Sequence, residues 1–416
     1  MDVISTKYPT AHDAGKIMPL RHNWSETYRF SMEFKSDIII SYNGKEQRRA
    51  VREYPRFSVE MSAILYGEEK LQWEYLNTLW GNKPVYVTLD FLAVLAREWL
   101  NPEETNLRYK TRTFKTLPPF WVKSGMVVVL SASQALGVKE TRTVSSSNDE
   151  AIDFVEESLA EFQRNSQCAP AYLAYMEDNQ QSSHYTSRAG STAVKFNFLA
   201  QELYEIDDIT APVYVGASEF FDFRPDWRNG VEVTYTWVKL PVDYGFGIFD
   251  NVRAIEYPIR LYKANFNALD IEEVYGLLNF FQRHKGMNRE FFMATWEDDV
   301  PFSSLSGGGL SILINGTSFG LAYRDSTVFR RILIRYADGT VGQHKVDYIE
   351  ALPDTDSSVL RVTEPLPVSE ITPQNVRGIS WVLCARFAAD RMDVDFQTSD
   401  KASISIPIQT LENNEL

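Results

Sequence analysis

The chain is short of cysteine, of paired histidines, of basic charge and of long apolar runs. Each shortage excludes something. Only two of its 416 residues are cysteines, Cys168 and Cys384. Two thiols cannot build a disulfide framework or a cysteine-based zinc site. One long-range bridge is the most they could form, and a reduced, cytosolic origin is expected. The five histidines are His12, His22, His184, His284 and His344. None has a second histidine three or four residues away, and no HExxH occurs. No apolar run reaches the roughly 18 residues of a membrane helix. The N-terminal MDVISTKYPTAHDAGKIMPL has no basic patch followed by an apolar core, so no secretory signal is read there.

Basic charge is outweighed. Lys and Arg number 42 against 56 Asp and Glu, for a net charge of −14. A nucleic-acid grip presents a basic surface, which this chain does not, beyond a local patch such as the run KEQRRAVR from Lys45 to Arg52. An acidic surface suits solubility, and also a channel through which DNA slides without sticking.

What is abundant is aromatic. Phe, Tyr and Trp make up 13% of the chain. Aromatic and β-branched residues favour sheets, so the composition points to β structure.

The strongest internal signal is a repeat. Laid on each other at an offset of 203 residues, Trp24 meets Trp227, and Glu53-Tyr54-Pro55 meets Glu256-Tyr257-Pro258. Alternating strand-like stretches surround both tripeptides. Each then leads into a helix-like segment. EEKLQWEYLNTLWG carries Leu71, Tyr75, Leu76 and Leu79 on one stripe. IEEVYGLLNFFQRHKG carries Val274, Leu277, Leu278 and Phe281. Both begin with paired acids and end in glycine, Gly81 and Gly286, as helix starts and stops require. A strand follows each, KPVYVTLD and REFFMATW. LPPFWVKSGMVVVLS (117–131) is set against VPFSSLSGGGLSILI (300–314), and 184–202 against 396–412. Cys168 and Cys384 are read as falling at comparable places.

The second parts of the halves are read as divergent. DEAIDFVEESLAEFQ, after an acidic serine-rich loop, predicts a helix with Ala151, Ile152, Val155, Leu159 and Phe162 on its apolar face. Its counterpart region, 300–416, reads as almost wholly β, with a hairpin at Asp338-Gly339.

The segments that carry chemistry elsewhere carry none here. The glycine run after Ser306 is followed by a strand, so it reads as a turn and not a phosphate loop. Glu297 and Asp299 share a strand face, but they read as a solvated strand end. No GxSxG elbow is present. The expectation is no catalytic residue, no metal ligand, no cofactor and no enzyme.

GKEQRRAVREYPR after SDIIIS, FFMATWEDDVPF (291–302) and the C-terminal ISWVLCARFAADRMDVDFQTSDKASISIPIQTL together resemble tail-tip structural proteins of tailed bacteriophages. The second half has FDNVRA in place of the EQR stretch, so no role of Gln47 or Arg48 carries over to it. The resemblance implies a distal-tail or baseplate-hub component that forms a ring around the DNA channel. It would join the tail tube to distal or receptor-binding parts. The implied partners are copies of itself and other tail proteins (tube, hub, fibres). Three chains with pseudo-sixfold symmetry, or six, would close the ring. DNA would pass without specific binding, no membrane insertion is expected, and the place is the virion tail, after synthesis in the host cytoplasm. Two other functions stay open at this point: a receptor- or carbohydrate-binding tail module, and a tail-associated cell-wall hydrolase.

The expected architecture is mainly β with a few α-helices. It comprises an arm (1–19), a tube-like sandwich or barrel with a flanking helix (20–114), an accessory part (115–218), a second tube-like unit (219–299) and a second accessory β part (300–416).

Overall fold

The computed structural model describes residues 4–5, 16–41, 45–80, 83–110, 122–132, 138–148, 151–155, 157–158, 161–178, 180–199, 213–215, 218–247, 249–253, 255, 257–306, 309–366, 374–399 and 401–411. Among them are 30 strands and three α-helices, the mainly β architecture that the composition predicts.

In chain order, the first half begins with β1 (Ile4–Ser5), β2 (Lys16–Ile17), β3 (Tyr28–Glu33), β4 (Ser36–Ile40), β5 (Glu46–Ala50) and β6 (Arg56–Tyr66). Helix α1 (Glu68–Trp80) follows. Then come β7 (Val85–Thr88), β8 (Val94–Ala96), β9 (Asn106–Lys110), β10 (Val127–Ser131), β11 (Val138–Ser147), β12 (Ala151–Phe154), β13 (Gln167–Met176), β14 (Gln181–His184) and β15 (Ala189–Phe198).

The second half begins with β16 (Tyr214–Val215), β17 (Ser218–Phe221), β18 (Glu232–Thr236), β19 (Lys239–Asp243), β20 (Phe249–Arg253) and β21 (Ile259–Ala268). Helix α2 (Ile271–His284) follows. Then come β22 (Phe291–Ala294), β23 (Phe302–Ser306), β24 (Ser311–Asn315), helix α3 (Ser318–Tyr323), β25 (Arg331–Tyr336), β26 (Val341–Leu352), β27 (Ser357–Val362), β28 (Val376–Phe387), β29 (Arg391–Phe396) and β30 (Ala402–Thr410).

The two halves use one pairing scheme. β6 lies between β3 and β15, and β21 lies between β18 and β30. Ser62 faces Ala193 in the first half; Asn265 faces Ser405 in the second. β15 also pairs with β13 and β14, as β30 does with β28 and β29. Tyr175 faces Asn197 where Arg386 faces Gln409. The parallel pair β2–β7, with Ile17 opposite Tyr86, is matched by β17–β22, with Phe220 opposite Phe292. Lys16 and Ile17 of the expected arm are thus part of a sheet. The tight hairpins β4–β5 and β19–β20 sit 203 residues apart at both strands, Ser36 to Lys239 and Glu46 to Phe249.

The second parts share a scheme too, which corrects the expected divergence. β9, β12, β11, β10 and β13 pair in that order. β24, β27, β26, β25 and β28 do the same. In this alignment β10 corresponds to β25, not to the β24 that its sequence suggested. The helix expected from Ala151 is instead the strand β12. Ile152 and Phe154 are buried between β9 and β11, and Val155 is exposed. Two sheet edges in need of a partner override a local helical pattern. Cys168 faces Leu130 on β10, and its counterpart opposite β25 is Ile379. Cys384 is matched by Leu173, so the cysteines are not equivalent; both are buried and free.

The strands β6 and β15 come from the expected spans 20–114 and 115–218, yet they share one sheet. Helix α1 buries Trp73 and Leu76, while Leu71 is half exposed. Trp73 therefore takes the inward place that the sequence stripe assigned to Leu71. Helix α2 buries Val274, Leu277, Leu278 and Phe281 as the stripe predicts, and Asp270 caps its start by accepting from the Glu273 N–H. One apolar cluster runs through both halves, from Tyr28, Phe30 and Phe91 to Phe221, Phe281 and Phe396. A second forms around Trp381, Phe329 and Ile332.

Candidate assembly interface

The halves meet through a backbone ladder. β3 of the first half pairs antiparallel with β29 of the second, from Arg391 opposite Glu33 to Phe396 opposite Tyr28. β29 also pairs with β30, and β3 with β6, so the sheets of the halves are continuous. The joint is head to tail: β3, near the start of one unit's sheet, takes β29, the penultimate strand of the other.

Side chains on the two faces of this ladder differ. On the inner face Phe91 stacks on Phe396 with ring centroids 4.2 Å apart, and Tyr28 meets Phe91 edge-on at 5.8 Å. On the outer face, Arg29 Nε donates to Asp395 Oδ1 at 2.6 Å, and Ser31 Oγ donates to Asp393 Oδ1 at 2.6 Å. The hydrogen bond to Asp395 holds the Arg29 guanidinium protonated beyond its ordinary range.

A hairpin reinforces the joint. Asp390, just before β29, accepts from Ser36 N (2.5 Å) and Ser36 Oγ (2.8 Å) on β4, and from Met287 N (3.0 Å) after α2. Gly286 has φ +63°, and a Cβ there would meet Asp390 Oδ1 at 2.6 Å. The glycine that marks the helix end in the sequence thus also permits this close approach. On β5, Glu46 forms a two-pronged ion pair with Arg386 of β28: Nε to Oε2 at 2.7 Å and Nη2 to Oε1 at 2.9 Å. Both side chains are almost fully buried. Arg48 reaches Glu290 at 2.6 Å.

At the far ends the corresponding edges pair on one side only. Among the described residues, β14 pairs only with β15, and β18 only with β21. Their counterparts β29 and β3 each have a partner on both sides. The exposure follows: Met32 on β3 is 0% exposed, while Tyr235, which matches it on β18, is 58% exposed. Neither edge strand contains lysine, proline or a bulge; β14 is short, at four residues, and β18 carries one charge, Glu232.

The residues singled out in the sequence lie elsewhere, in structural roles. His22 is buried between Trp24 and Tyr28, and burial pushes its pKa below the ordinary range. His284 is buried, stacked on Phe280, with Nδ1 2.8 Å from the Phe280 carbonyl. His184 is exposed on β14, and His12 lies outside the described residues. Asp299 accepts from Trp381 N at 2.9 Å and from the Thr295 hydroxyl, and Asp298 pairs with Arg335. Burial first, and Asp299 second, push the Glu297 carboxyl above its ordinary range. Ser306 and Ser311 face each other across the β23–β24 hairpin, as a turn at the glycine run requires; 307–308 lie outside the described residues. The Asp338-Gly339 hairpin joins β25 to β26, with Gly339 at φ +95°. Among the described residues no group of three or more His, Cys, Asp or Glu is placed to hold a metal. No helix there is long and apolar enough to cross a membrane.

The two tripeptides that mark the repeat are used differently. Tyr54 and Pro55 line a cleft with Gln282, Arg283 and Lys285 at the end of α2. Tyr257 packs within its own half, edge-on to Phe329 at 5.4 Å. Sequence reasoning missed Asp390, Arg386 and the open edges. Their signal was the second-half strand order, readable only once the offset is followed past the helix.

Compared with models of known protein families and with curated proteins, the chain matches none.

Proposed function

We propose that this chain is a structural ring component of a bacteriophage tail tip or baseplate, surrounding the DNA channel and joining the tail tube to distal parts. In this reading the halves are copies of one unit, and three chains supply six units to a pseudo-sixfold ring.

The observation that carries it is the head-to-tail joint between two halves with the same strand pairing. A joint between like units that is not self-reciprocal leaves a complementary surface at each end. Such units propagate and close into a ring when the rotation allows. The net charge of −14 fits a passage that DNA crosses without adhering. Asp298 and Asp299 hold Arg335 and the Trp381 N–H, which suits a structural part.

The test is immunogold electron microscopy of virions from the phage that encodes the chain, with antibodies to the purified protein. Gold at the tail tip is expected. Virions without label, or label on the head, would overturn the reading.

A further inference from the structure

We infer that β14 of one chain pairs antiparallel with β18 of a second copy, in the register of the internal β3–β29 joint. This rests on the ring reading and specifies its contact.

The register follows from the matched pairings. β14 corresponds to β29 through their ladders with β15 and β30: Gln181 faces Ala193 where Asp393 faces Ser405. β18 corresponds to β3 through their ladders with β21 and β6: Glu232 faces Lys263 where Arg29 faces Glu60. Internally Asp393 faces Ser31. Transferred to the open edges, Gln181 faces Thr234, Ser182 faces Val233 and Ser183 faces Glu232.

The chemistry of these pairs is compatible. An amide opposite a threonine hydroxyl, and a serine hydroxyl opposite a carboxylate, are donor–acceptor pairs with no like charges opposed. The charges inside each unit are reversed between the halves. Arg29 sits 3.9 Å from Glu60, whereas Glu232 sits 3.3 Å from Lys263. An internal β3 strand would therefore present a cation, and the open β18 an anion. That reversal separates the two joints: Asp395 meets Arg29 inside the chain, and a neutral serine meets Glu232 between chains. A second contact follows the same logic. Tyr175, 40% exposed, stands where Arg386 stands in the internal joint, and the exposed Asp178 stands where Asp390 does.

An edge paired on one side only, with its outer backbone groups open, takes another strand. The occupant is a second copy because the chain already contains the mating surface, tested once within itself.

The experiment uses the full chain carrying Gln181→Cys and Thr234→Cys, oxidised under native conditions and run on denaturing gels without reductant. Directly opposed cross-strand residues bring Cβ atoms within about 4.5–5.5 Å, close to disulfide range. Cys168 and Cys384 are buried and do not compete. The expected result is conversion of most of the chain into covalent dimers and trimers. Mixing singly substituted chains, Q181C with T234C, should give dimers only, and neither alone should cross-link. A control pair on opposite sheet faces, Ser182→Cys with Thr234→Cys, should lose nearly all cross-linking. Equal cross-linking of both pairs, or none with the in-register pair, overturns the inference. If rings still form on micrographs without in-register cross-links, the ring reading stands and this contact falls. An open ladder of in-register cross-links beyond three chains keeps the contact and removes the closed ring.

Discussion

Arg29 Nε donates to Asp395 Oδ1 across 366 residues of sequence, at 2.6 Å, on the strand pair that joins the two halves. Both side chains are more than a third solvent-accessible or close to it, at 41% and 32%. Solvent screening therefore limits their coupling to about 0.5–1 kcal/mol. A double-mutant cycle of Arg29→Ala and Asp395→Ala by urea denaturation measures it. Because Glu60 lies opposite position 29, the charge-exchanged pair Arg29→Asp with Asp395→Arg is expected to recover only part of the loss unless Glu60→Ala is added. Additive effects of the single changes would show that the ladder alone sets the joint.

The buried pair beneath is stronger when broken. Glu46 and Arg386 shed nearly all their water to meet, and without Arg386 the buried Glu46 carboxylate keeps, among the described residues, only Arg48, at 3.9 Å, and the Gln409 amide, at 3.5 Å. Arg386→Met is expected to cost about 3–5 kcal/mol. Glu46→Leu combined with Arg386→Met should restore most of that stability, since apolar packing replaces both charges. A double variant as unstable as the single one would contradict this.

Gly286→Ala tests the close approach at the hairpin. The backbone there has φ +63°, and a methyl group would press on the Asp390 carboxylate that ties Ser36 and Met287. A loss of about 1–3 kcal/mol is expected from the strained conformation and the displaced carboxylate. Amide exchange of Ser36 and Met287 should quicken first. Unchanged exchange at both would show that Asp390 holds them regardless.

Lys139 sets a pH dependence. Its ammonium is buried and donates to the Met18 carbonyl at 2.7 Å, and burial lowers its pKa from 10.5 to about 8. Below pH 8 folded and unfolded chains both carry the proton, and the burial cost is fully present. As pH rises from 8 towards 10.5 the folded state releases its proton first, so stability rises. Between pH 7.5 and 9.5 the gain is about 2 kcal/mol. Lys139→Met should lose this rise, seen by chemical denaturation at the two pH values. A parallel pH dependence in the variant would assign it to other groups.

The shared pairing scheme was legible in the sequence where the connections are tight. The hairpins β4–β5 and β19–β20 and the strands after EYP keep the offset of 203 residues, because a short turn tolerates no insertion. Beyond the helices the match loosens. Tyr86 corresponds to Phe292, Tyr175 to Arg386 and Gln181 to Asp393, so the offset grows along the chain. Strands pair through backbone groups, which leaves outward side chains free to change and hides the correspondence from a reading of residue types. The same freedom concealed β12 under a helical pattern. Asp390 and Arg386 carried no local motif, since Ser36 and Glu46, which they hold, lie more than 300 residues away. Likewise an open edge is a property of the assembled sheet, and β14, QSSH, has no apolar alternation to announce it.

The central claim is that one chain supplies two equivalent units to a closed ring. Native mass spectrometry of the purified protein, paired with class averages from electron microscopy, tests it most directly. The account predicts a mass three times the 47.7 kDa chain and rings with six similar lobes. Rings with a number of lobes equal to the number of chains, or a monomer at every concentration with the in-register cysteines uncoupled, would contradict it.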